Sequence, residues 1–217
     1  MAIELRPDTE IVDFVASTLI GHLQAGERVL WLVPGGSAIA KAVEVSHRLT
    51  RADTSRLFIT LTDERYGELG HKNENWLQIE AAGFRFGEAQ VYRVLTGDSV
   101  EQTVDRFSNQ IEQWLGAVDY SIGLFGIGAD GHTAGIKPGS LAVESQASVE
   151  YFRGADFDRI TITPRVVSRL DETVAYARGA DKFPALRRLV NEDLSIVEQP
   201  AQCLKLASHA TLFSDLN

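Results

Sequence analysis

Apolar and polar positions follow two different periods along the chain. Between Ile11 and Leu23 apolar residues recur at helical spacing, which predicts an amphipathic helix over 9–26 that ends near Gly26. The run RVLWLV at 28–33 is continuously apolar, as in strands buried on both faces of a sheet. The same two patterns continue to the C-terminus. They predict further helices over 37–49, from about Asn73, over 99–116 and over 181–191, and further strands at 56–62, 89–95, 119–128, 159–164, 173–179 and the C-terminus.

Two of the predicted helices begin with polar residues that are typical of helix starts. Ser37 is a candidate N-cap for the helix over 37–49, and Ser99 with Gln102 has the spacing of a capping box. Because strands alternate with stretches of helical length, the chain predicts a three-layer, Rossmann-like α/β fold, with a mostly parallel sheet and helices on both faces. Neither an internal repeat nor a linker divides the 217 residues, so we expect one domain over 1–217.

Three of the predicted strands end in loops with unusual chemistry. These loops contain PGGS at 34–37, DER at 63–65 and GIGADGHTAG at 126–135. Ligands of open parallel sheets bind outside the carboxyl ends of the strands, so we expect the three loops to meet in one cavity. Taken alone, PGGS is equally compatible with a plain turn and with an anion site made of backbone N–H groups. The planar guanidinium of Arg65 is suited to bind a phosphate through two parallel hydrogen bonds, although most charged tripeptides such as DER lie at the protein surface.

The third loop contains glycines at 126, 128 and 131 that spell the dinucleotide-binding pattern GxGxxG. That pattern requires its last glycine to begin a helix, whereas Pro138 and the glycines around it block a long helix here. No clear strand ending in an acidic residue follows about 20 positions later, as ribose recognition requires. We therefore exclude a dinucleotide site. For His132 two interpretations stay open: a catalytic imidazole assisted by Asp130, and a loop histidine with a structural role.

The net charge, the cysteine count and the N-terminal sequence limit which ligands and which cellular location the chain is compatible with. The formal net charge is −9 at pH 7, which argues against binding of nucleic acid or anionic membranes, because both need a basic face. An anionic ligand must therefore be held by a few local cations and N–H groups. Cys203 is the single cysteine, so we expect neither a disulfide framework nor a thiolate metal site. The N-terminal sequence lacks a signal-peptide profile and no apolar run approaches ~18 residues, so we predict a cytoplasmic protein without a membrane span.

Four segments, in family order and at family spacing, resemble the motifs of 6-phosphogluconolactonases, within a superfamily that includes glucosamine-6-phosphate deaminase. GIGADGHTAGIKPGS is similar to their G-x-G-x-D-G-H-T-A-S-L-F-P signature, and VPGGSA resembles their SGGST-P phosphate loop. LTDERYGELGHKNENWLQI resembles their DER…SN segment, and DRITITPRVVSRLDETVAYARGADKFPALRRL resembles their RITLT…GxxK stretch. The resemblance covers about residues 8 to 190.

The resemblance implies a fold of the sugar-phosphate isomerase type and the hydrolysis of 6-phospho-D-glucono-1,5-lactone to 6-phosphogluconate, in the pentose phosphate pathway, without a metal or an organic cofactor. It makes His132 the general base that activates water, with Asp130 as its catalytic partner. The substrate-binding residues carried over from the motifs are Gly35, Gly36, Ser37, Asp63, Arg65, Asn75, Arg159 and Lys182. The implied partner is a small-molecule sugar phosphate, bound by a monomer or a weak homodimer.

The chain departs from the family pattern at several positions. Ala38 and Glu74 stand where the family has threonine and serine, Lys137 replaces an aromatic residue, and the acidic GADFD at 154–158 replaces a proline-rich stretch. We expect Lys137 to point to solvent, the alternative being a contact with phosphate. Aminosugar-phosphate deaminases and isomerases resemble the chain too, but they carry Asn-Gly-His and a glutamate five residues beyond the histidine, where Lys137 stands here. They are the alternative activity, and a non-catalytic sugar-phosphate-binding protein is the alternative without turnover.

Overall fold

The structure, a computed structural model, describes residues 2–216. In that part of the chain, seven strands form a main sheet and three strands form a small sheet. The strands are β1 (Glu4–Pro7), β2 (Val29–Val33), β3 (Leu57–Leu61), β4 (Asp63–Arg65), β5 (Gln90–Val91), β6 (Tyr120–Gly126), β7 (Val149–Arg153), β8 (Asp158–Ile162), β9 (Glu172–Ala177) and β10 (His209–Ser214). The α-helices are α1 (Ile11–Gln24), α2 (Ile39–Arg48), α3 (Asn75–Ala81), α4 (Val100–Leu115), α5 (Pro164–Val167) and α6 (Phe183–Asn191).

The main sheet has the order β1-β10-β9-β6-β2-β3-β5, with parallel pairing at every step. β2 lies inside this order, and all of its residues are buried, as its continuous apolar run predicts. Because every strand runs in the same direction, the carboxyl ends of all seven share one edge. The predicted three-layer α/β fold with a mostly parallel sheet is confirmed.

The helices bury the faces that their apolar spacing defines. The buried residues of α1 include Ile11, Val15, Leu19 and Leu23, which lie at the predicted helical spacing, and each fully buried leucine or isoleucine stabilises the fold by roughly 1.5–3 kcal/mol. The predicted capping box of α4 is confirmed, because Ser99 Oγ accepts the N–H of Gln102 and Gln102 Oε1 accepts the N–H of Ser99, both at 3.3 Å. No helix in the described part of the chain is long and apolar enough to span a membrane.

Three local predictions differ from the structure. Ser37 does not cap α2, because a 3-10 helix (Gly36–Ala38) intervenes and α2 begins at Ile39 without a side-chain cap. The strand predicted at 89–95 is reduced to β5, whose two residues are exposed at the sheet edge and gain little from burial there. The helix predicted from Asn73 begins two residues later, as α3.

The small sheet was not predicted. It has the order β4-β8-β7 with antiparallel pairing, so the strand predicted at 159–164 belongs here and not to the main sheet. DER, expected to be a loop, is β4. It follows directly on the end of β3, and the N–H of Ile162 donates to the carbonyl of Thr62 at 3.0 Å. The small sheet is thereby fixed to the carboxyl edge of the main sheet.

Candidate active site

The three predicted loops meet in a cavity of about 290 Å³ at the carboxyl ends of β2, β3 and β6. These strands are neighbours in the sheet, so their loops converge as expected for a parallel α/β fold. β4 and β8 of the small sheet supply a further wall. The predicted site residues that line the cavity are Gly35, Gly36, Ser37, Asp63, Arg65, Asn75, His132, Arg159 and Lys182. Asp130 is not among the lining residues and contacts the imidazole of His132.

Backbone N–H groups form one side of the cavity, directly after β2. Gly36 adopts a φ of +63°, and the 3-10 helix that it begins leads into α2. N–H groups in a first helical turn have no partner within the helix, so those of Gly36 and Ser37 are available to an anion. Gly35 leaves the space that Asn75 occupies, because a Cβ there would lie 2.3 Å from the Nδ2 of Asn75 and would displace that side chain.

His132 is held in one orientation by Asp130. The Nδ1 of His132 lies 2.5 Å from Asp130 Oδ1, and the backbone N–H of His132 donates to the same oxygen at 3.1 Å. A Cβ at Gly128 would lie 2.2 Å from the imidazole, so only glycine leaves room for this pair. Since a carboxylate accepts from Nδ1–H, the neutral imidazole presents the lone pair of Nε2.

The surroundings of Asp130 favour its ionised form. Burial alone would raise the pKa of this carboxyl, but hydrogen bonds from His132 and the nearby charges of His132 and Lys137 outweigh it and lower the pKa below its usual value. An ionised Asp130 keeps the proton on Nδ1. The pair therefore has the orientation that a general base requires.

The loop that carries His132, residues 126–138, is supported by a segment that the sequence did not identify. A buried 3-10 helix (Pro200–Leu206) follows α6, and the N–H of Ala201 donates to the carbonyl of Gly131 at 2.9 Å. The side chain of Gln199 also packs on Gly131, where a Cβ would lie 2.8 Å from its Cγ. No local sequence signal marks these contacts, because they join segments distant in the chain.

Two arginines stand opposite each other on β4 and β8, but their contacts differ. Arg159 donates to both carboxylate oxygens of Asp156, at 2.6 and 2.8 Å, and to the carbonyl of Phe157 at 2.9 Å. Arg65 donates to the carbonyl of Asn73 at 3.2 Å and stacks on the Phe157 ring, with its Cζ 4.8 Å from the centroid. Arg65 therefore retains guanidinium donors for an anionic ligand, whereas most of those of Arg159 are engaged. Lys182 adds a third cation to the cavity, from a 3-10 helix (Ala180–Lys182) after β9.

Glu64, which the sequence analysis did not single out, positions Asn75. Its buried carboxylate accepts the backbone N–H groups of Arg65, Asn75 and Trp76 at 2.7, 2.6 and 3.0 Å, and so caps the start of α3. Burial raises the pKa of Glu64 to about 8, and these three hydrogen bonds oppose the rise. Asn75 in turn donates from Nδ2 to the carbonyl of Asp63 at 3.0 Å. Burial likewise raises the pKa of Asp63, against the hydrogen bond from Thr62 and the charges of nearby arginines.

Two of the departures from the family pattern have structural explanations. Glu74 is fully buried, and its carboxylate accepts from Arg93 Nε at 2.8 Å and from the N–H of Gly70 at 2.8 Å. Lys137 does not point freely to solvent, nor does it line the cavity. Its Nζ lies 3.9 Å from Asp130 Oδ2 and 3.8 Å from Asp156 Oδ2, so the expectation for this side chain was wrong.

Within residues 2–216, no three histidine, cysteine, aspartate or glutamate side chains are grouped so that they would hold a metal ion. The cavity presents an oriented imidazole, cations, backbone N–H groups and the side chains of Asp63 and Asn75. Such a set can bind a phosphorylated ligand and transfer a proton at a carbon or oxygen placed beside His132.

The sequence of this chain is similar to that of known proteins. The sequence model of the family described as glucosamine-6-phosphate isomerases/6-phosphogluconolactonase matches residues 8–213. A 6-phosphogluconolactonase of Chlamydia muridarum is 25% identical over 152 residues, which cover 68% of this chain and 59% of that protein. A 6-phosphogluconolactonase of Treponema pallidum is 25% identical over 198 residues, or 84% of this chain and 80% of that protein.

Solved structures share the fold. A 6-phosphogluconolactonase from Shewanella baltica superposes with a TM-score of 0.80 at 19% identity, over 99% of this chain and 96% of that one. A monomeric glucosamine-6-phosphate deaminase superposes with the same TM-score of 0.80 at 18% identity, over 99% of this chain and 97% of that one. The fold alone therefore does not distinguish the two activities.

Proposed function

We propose, since this chain belongs to the glucosamine-6-phosphate isomerase/6-phosphogluconolactonase family, that it hydrolyses 6-phospho-D-glucono-1,5-lactone to 6-phosphogluconate. The observation that carries the proposal is the orientation of His132, whose Nδ1 lies 2.5 Å from Asp130 Oδ1 while the ring lines the cavity. A lactone is an activated ester, so a neutral imidazole suffices to activate water for its hydrolysis.

In the proposed reaction, Nε2 of His132 removes a proton from water as the water oxygen attacks the carbonyl carbon of the lactone. The former carbonyl oxygen takes up negative charge, which backbone N–H groups of the glycine-rich loops stabilise. The bond between the carbonyl carbon and the ring oxygen then breaks, and the imidazolium returns its proton to that oxygen. The carboxylic acid product ionises and releases one proton to solution.

The phosphate group occupies the opposite part of the cavity in this proposal. Arg65 and Lys182 supply the positive charge, and the N–H groups of Gly36 and Ser37 supply further donors. Arg159 acts less directly, because Asp156 already engages its guanidinium. Asp63 and Asn75 border the sugar between these groups and His132.

Acid release from freshly generated 6-phosphogluconolactone, compared with its spontaneous hydrolysis, tests the proposal. Ammonia release from glucosamine-6-phosphate tests the rival activity on the same protein. We expect accelerated acid release without ammonia. Acid release at the spontaneous rate contradicts the lactonase assignment, and ammonia release assigns the site to the deaminases. Tight binding of 6-phosphogluconate without turnover of either substrate identifies a sugar-phosphate-binding protein.

A further inference from the structure

Lys137 connects two parts of the site that are otherwise separate. It belongs to the loop at 126–138 that carries His132, and its Nζ lies 3.9 Å from Asp130 Oδ2. The other oxygen of that carboxylate, Oδ1, holds His132. Asp130 is thus shared between the imidazole and the ammonium group of Lys137.

Asp156 connects Lys137 to Arg159, which lies on the wall of the cavity formed by β4 and β8. Asp156 lies at the tip of the hairpin between β7 and β8, and its carboxylate holds Arg159 through both oxygens. Its Oδ2 also lies 3.8 Å from Lys137 Nζ. Charges of alternating sign therefore run from Arg159 through Asp156 and Lys137 to Asp130 and His132.

Asp130 and Asp156 share Lys137, because its Nζ lies almost equally far from both carboxylates. Both distances lie near the outer limit of an ion pair. Lys137 is 29% exposed, and the two aspartates are about half exposed, so water and salt screen the row without abolishing it. Other charged groups that face the imidazole or line its cavity are Asp63 and Arg65 of β4, Arg159 of β8, and Lys182.

We propose that Lys137 and Asp156 are positioning residues that set the basicity of His132 with opposite sign. The ammonium of Lys137 neutralises part of the charge of Asp130 and disfavours the imidazolium. The negative charge of Asp156 offsets the positive charges of Lys137 and Arg159. Asp156 therefore favours the imidazolium. The catalytic meaning of this inference rests on the proposed function, whereas the coupling between the charges does not.

Titration of the His132 Cε1 proton by NMR tests the coupling directly, whether or not the protein is active. The resonance is assigned by its loss in His132→Gln. For Lys137→Met we expect the titration midpoint to rise by roughly 0.5 pH unit, and for Asp156→Asn we expect it to fall by a similar or smaller amount. Lys137→Arg keeps the charge and leaves the midpoint at the parent value.

Lys41→Met is the matched control, because it also removes one lysine charge. Lys41 pairs with Glu44 on α2 at 3.0 Å, is 23% exposed and does not line the cavity. We expect this variant to titrate like the parent. The pH profile of kcat/KM adds the catalytic readout: on its acidic limb Lys137→Met loses about threefold, because fewer imidazoles are neutral at a given pH.

Shifts of the same sign in Lys137→Met and Asp156→Asn contradict the inference, since a general loosening of the site moves both variants together. An unshifted Lys137→Met, or a shift equal to that of Lys41→Met, also contradicts it. Opposite NMR shifts in a protein that does not hydrolyse the lactone leave the coupling in place and overturn the proposed function instead.

Discussion

Two histidine–carboxylate pairs have the same N–O distance and lie at opposite ends of the strands of the main sheet, one at the amino ends and the other at the carboxyl ends. His22 Nδ1 lies 2.5 Å from Glu27 Oε2, and His132 Nδ1 lies 2.5 Å from Asp130 Oδ1. The side chains of the two histidines are equally exposed, at 32% and 33%. Distance and exposure therefore do not distinguish the two pairs.

Their neighbours differ. His22 lies in the last turn of α1 and stacks on Tyr120, with ring centroids 3.6 Å apart. Tyr120 in turn donates to Glu172 at 2.5 Å, and burial together with that carboxylate raises the pKa of its hydroxyl. At this end the polar groups are partners of one another. Around His132, cations and N–H groups face the cavity, and on this difference in neighbours we propose His132, and not His22, as the catalytic histidine.

Replacement of each histidine in turn gives the largest expected difference between the two pairs. We expect His132→Gln to lower kcat by about 10²–10⁴-fold, because the proposed general base is removed. His22→Gln retains a kcat within about twofold of the parent, because surface changes away from a site have small effects. Steady-state kinetics on the lactone measure both variants. A comparable loss in the two contradicts the assignment of the base.

Two glycines beside the histidines give the next largest contrast. A Cβ in Gly128→Ala would lie 2.2 Å from the His132 ring, so the ring must move, and a displacement of about 1 Å costs on the order of 10² in rate. Gly21→Ala, inside α1, meets nothing within 4 Å. That variant keeps full activity and gains about 0.5–1 kcal/mol of unfolding free energy from helix propensity. Kinetics and denaturant unfolding together measure the pair, and a fully active Gly128→Ala argues against a fixed imidazole.

Arginines at the two ends extend the contrast from catalysis to binding. Arg65 retains donors for a ligand, whereas Arg28 is paired with Asp119 at 3.1 Å. We expect Arg65→Gln to raise KM by about 10- to 100-fold with little change in kcat, the signature of uniform phosphate binding. Arg28→Gln leaves KM at the parent value. A KM that is unchanged in both places the phosphate elsewhere.

The smallest effect concerns stability at the amino ends of the strands. The side chain and backbone N–H of Arg28 lower the pKa of Asp119 to about 2. Because this pKa lies below that of the unfolded chain, the contribution of Asp119 to stability is present above about pH 4 and disappears as the pH falls toward 2. Asp119→Asn should therefore melt slightly below the parent at neutral pH and together with it near pH 2. A difference that persists at pH 2 contradicts an electrostatic origin.

The sequence predicted the inner strands of the main sheet well, because burial on both faces gives β2 and its neighbours a continuous apolar pattern, but it missed the edge strand β1. It did not predict the small sheet. β4 is the charged tripeptide Asp63–Arg65, and its strand conformation comes from pairing with β8, which lies far away in the sequence. Patterns of burial carry no information about such a partner.

The lining of the cavity was predictable because its loops follow adjacent parallel strands and match family motifs. The ion pairs were not. Lys137 was expected in solvent, and its partner Asp156 comes from a hairpin tip that only the three-dimensional structure brings near. Glu64 and Glu74 likewise act through contacts with distant backbone groups or with Arg93. The roles of the site residues, the single domain, the oligomeric state and the cytoplasmic location stay predictions.

One measurement tests the central claim that this cavity joins an anion site to a catalytic base. Acid release is followed with 6-phosphogluconolactone and with unphosphorylated gluconolactone, each corrected for spontaneous hydrolysis, in the parent and in Arg65→Gln. We predict that the parent favours the phosphorylated lactone by about 10²-fold or more in kcat/KM, and that Arg65→Gln loses most of this preference. Equal rates on both lactones, or no acceleration of the phosphorylated one, would contradict the account.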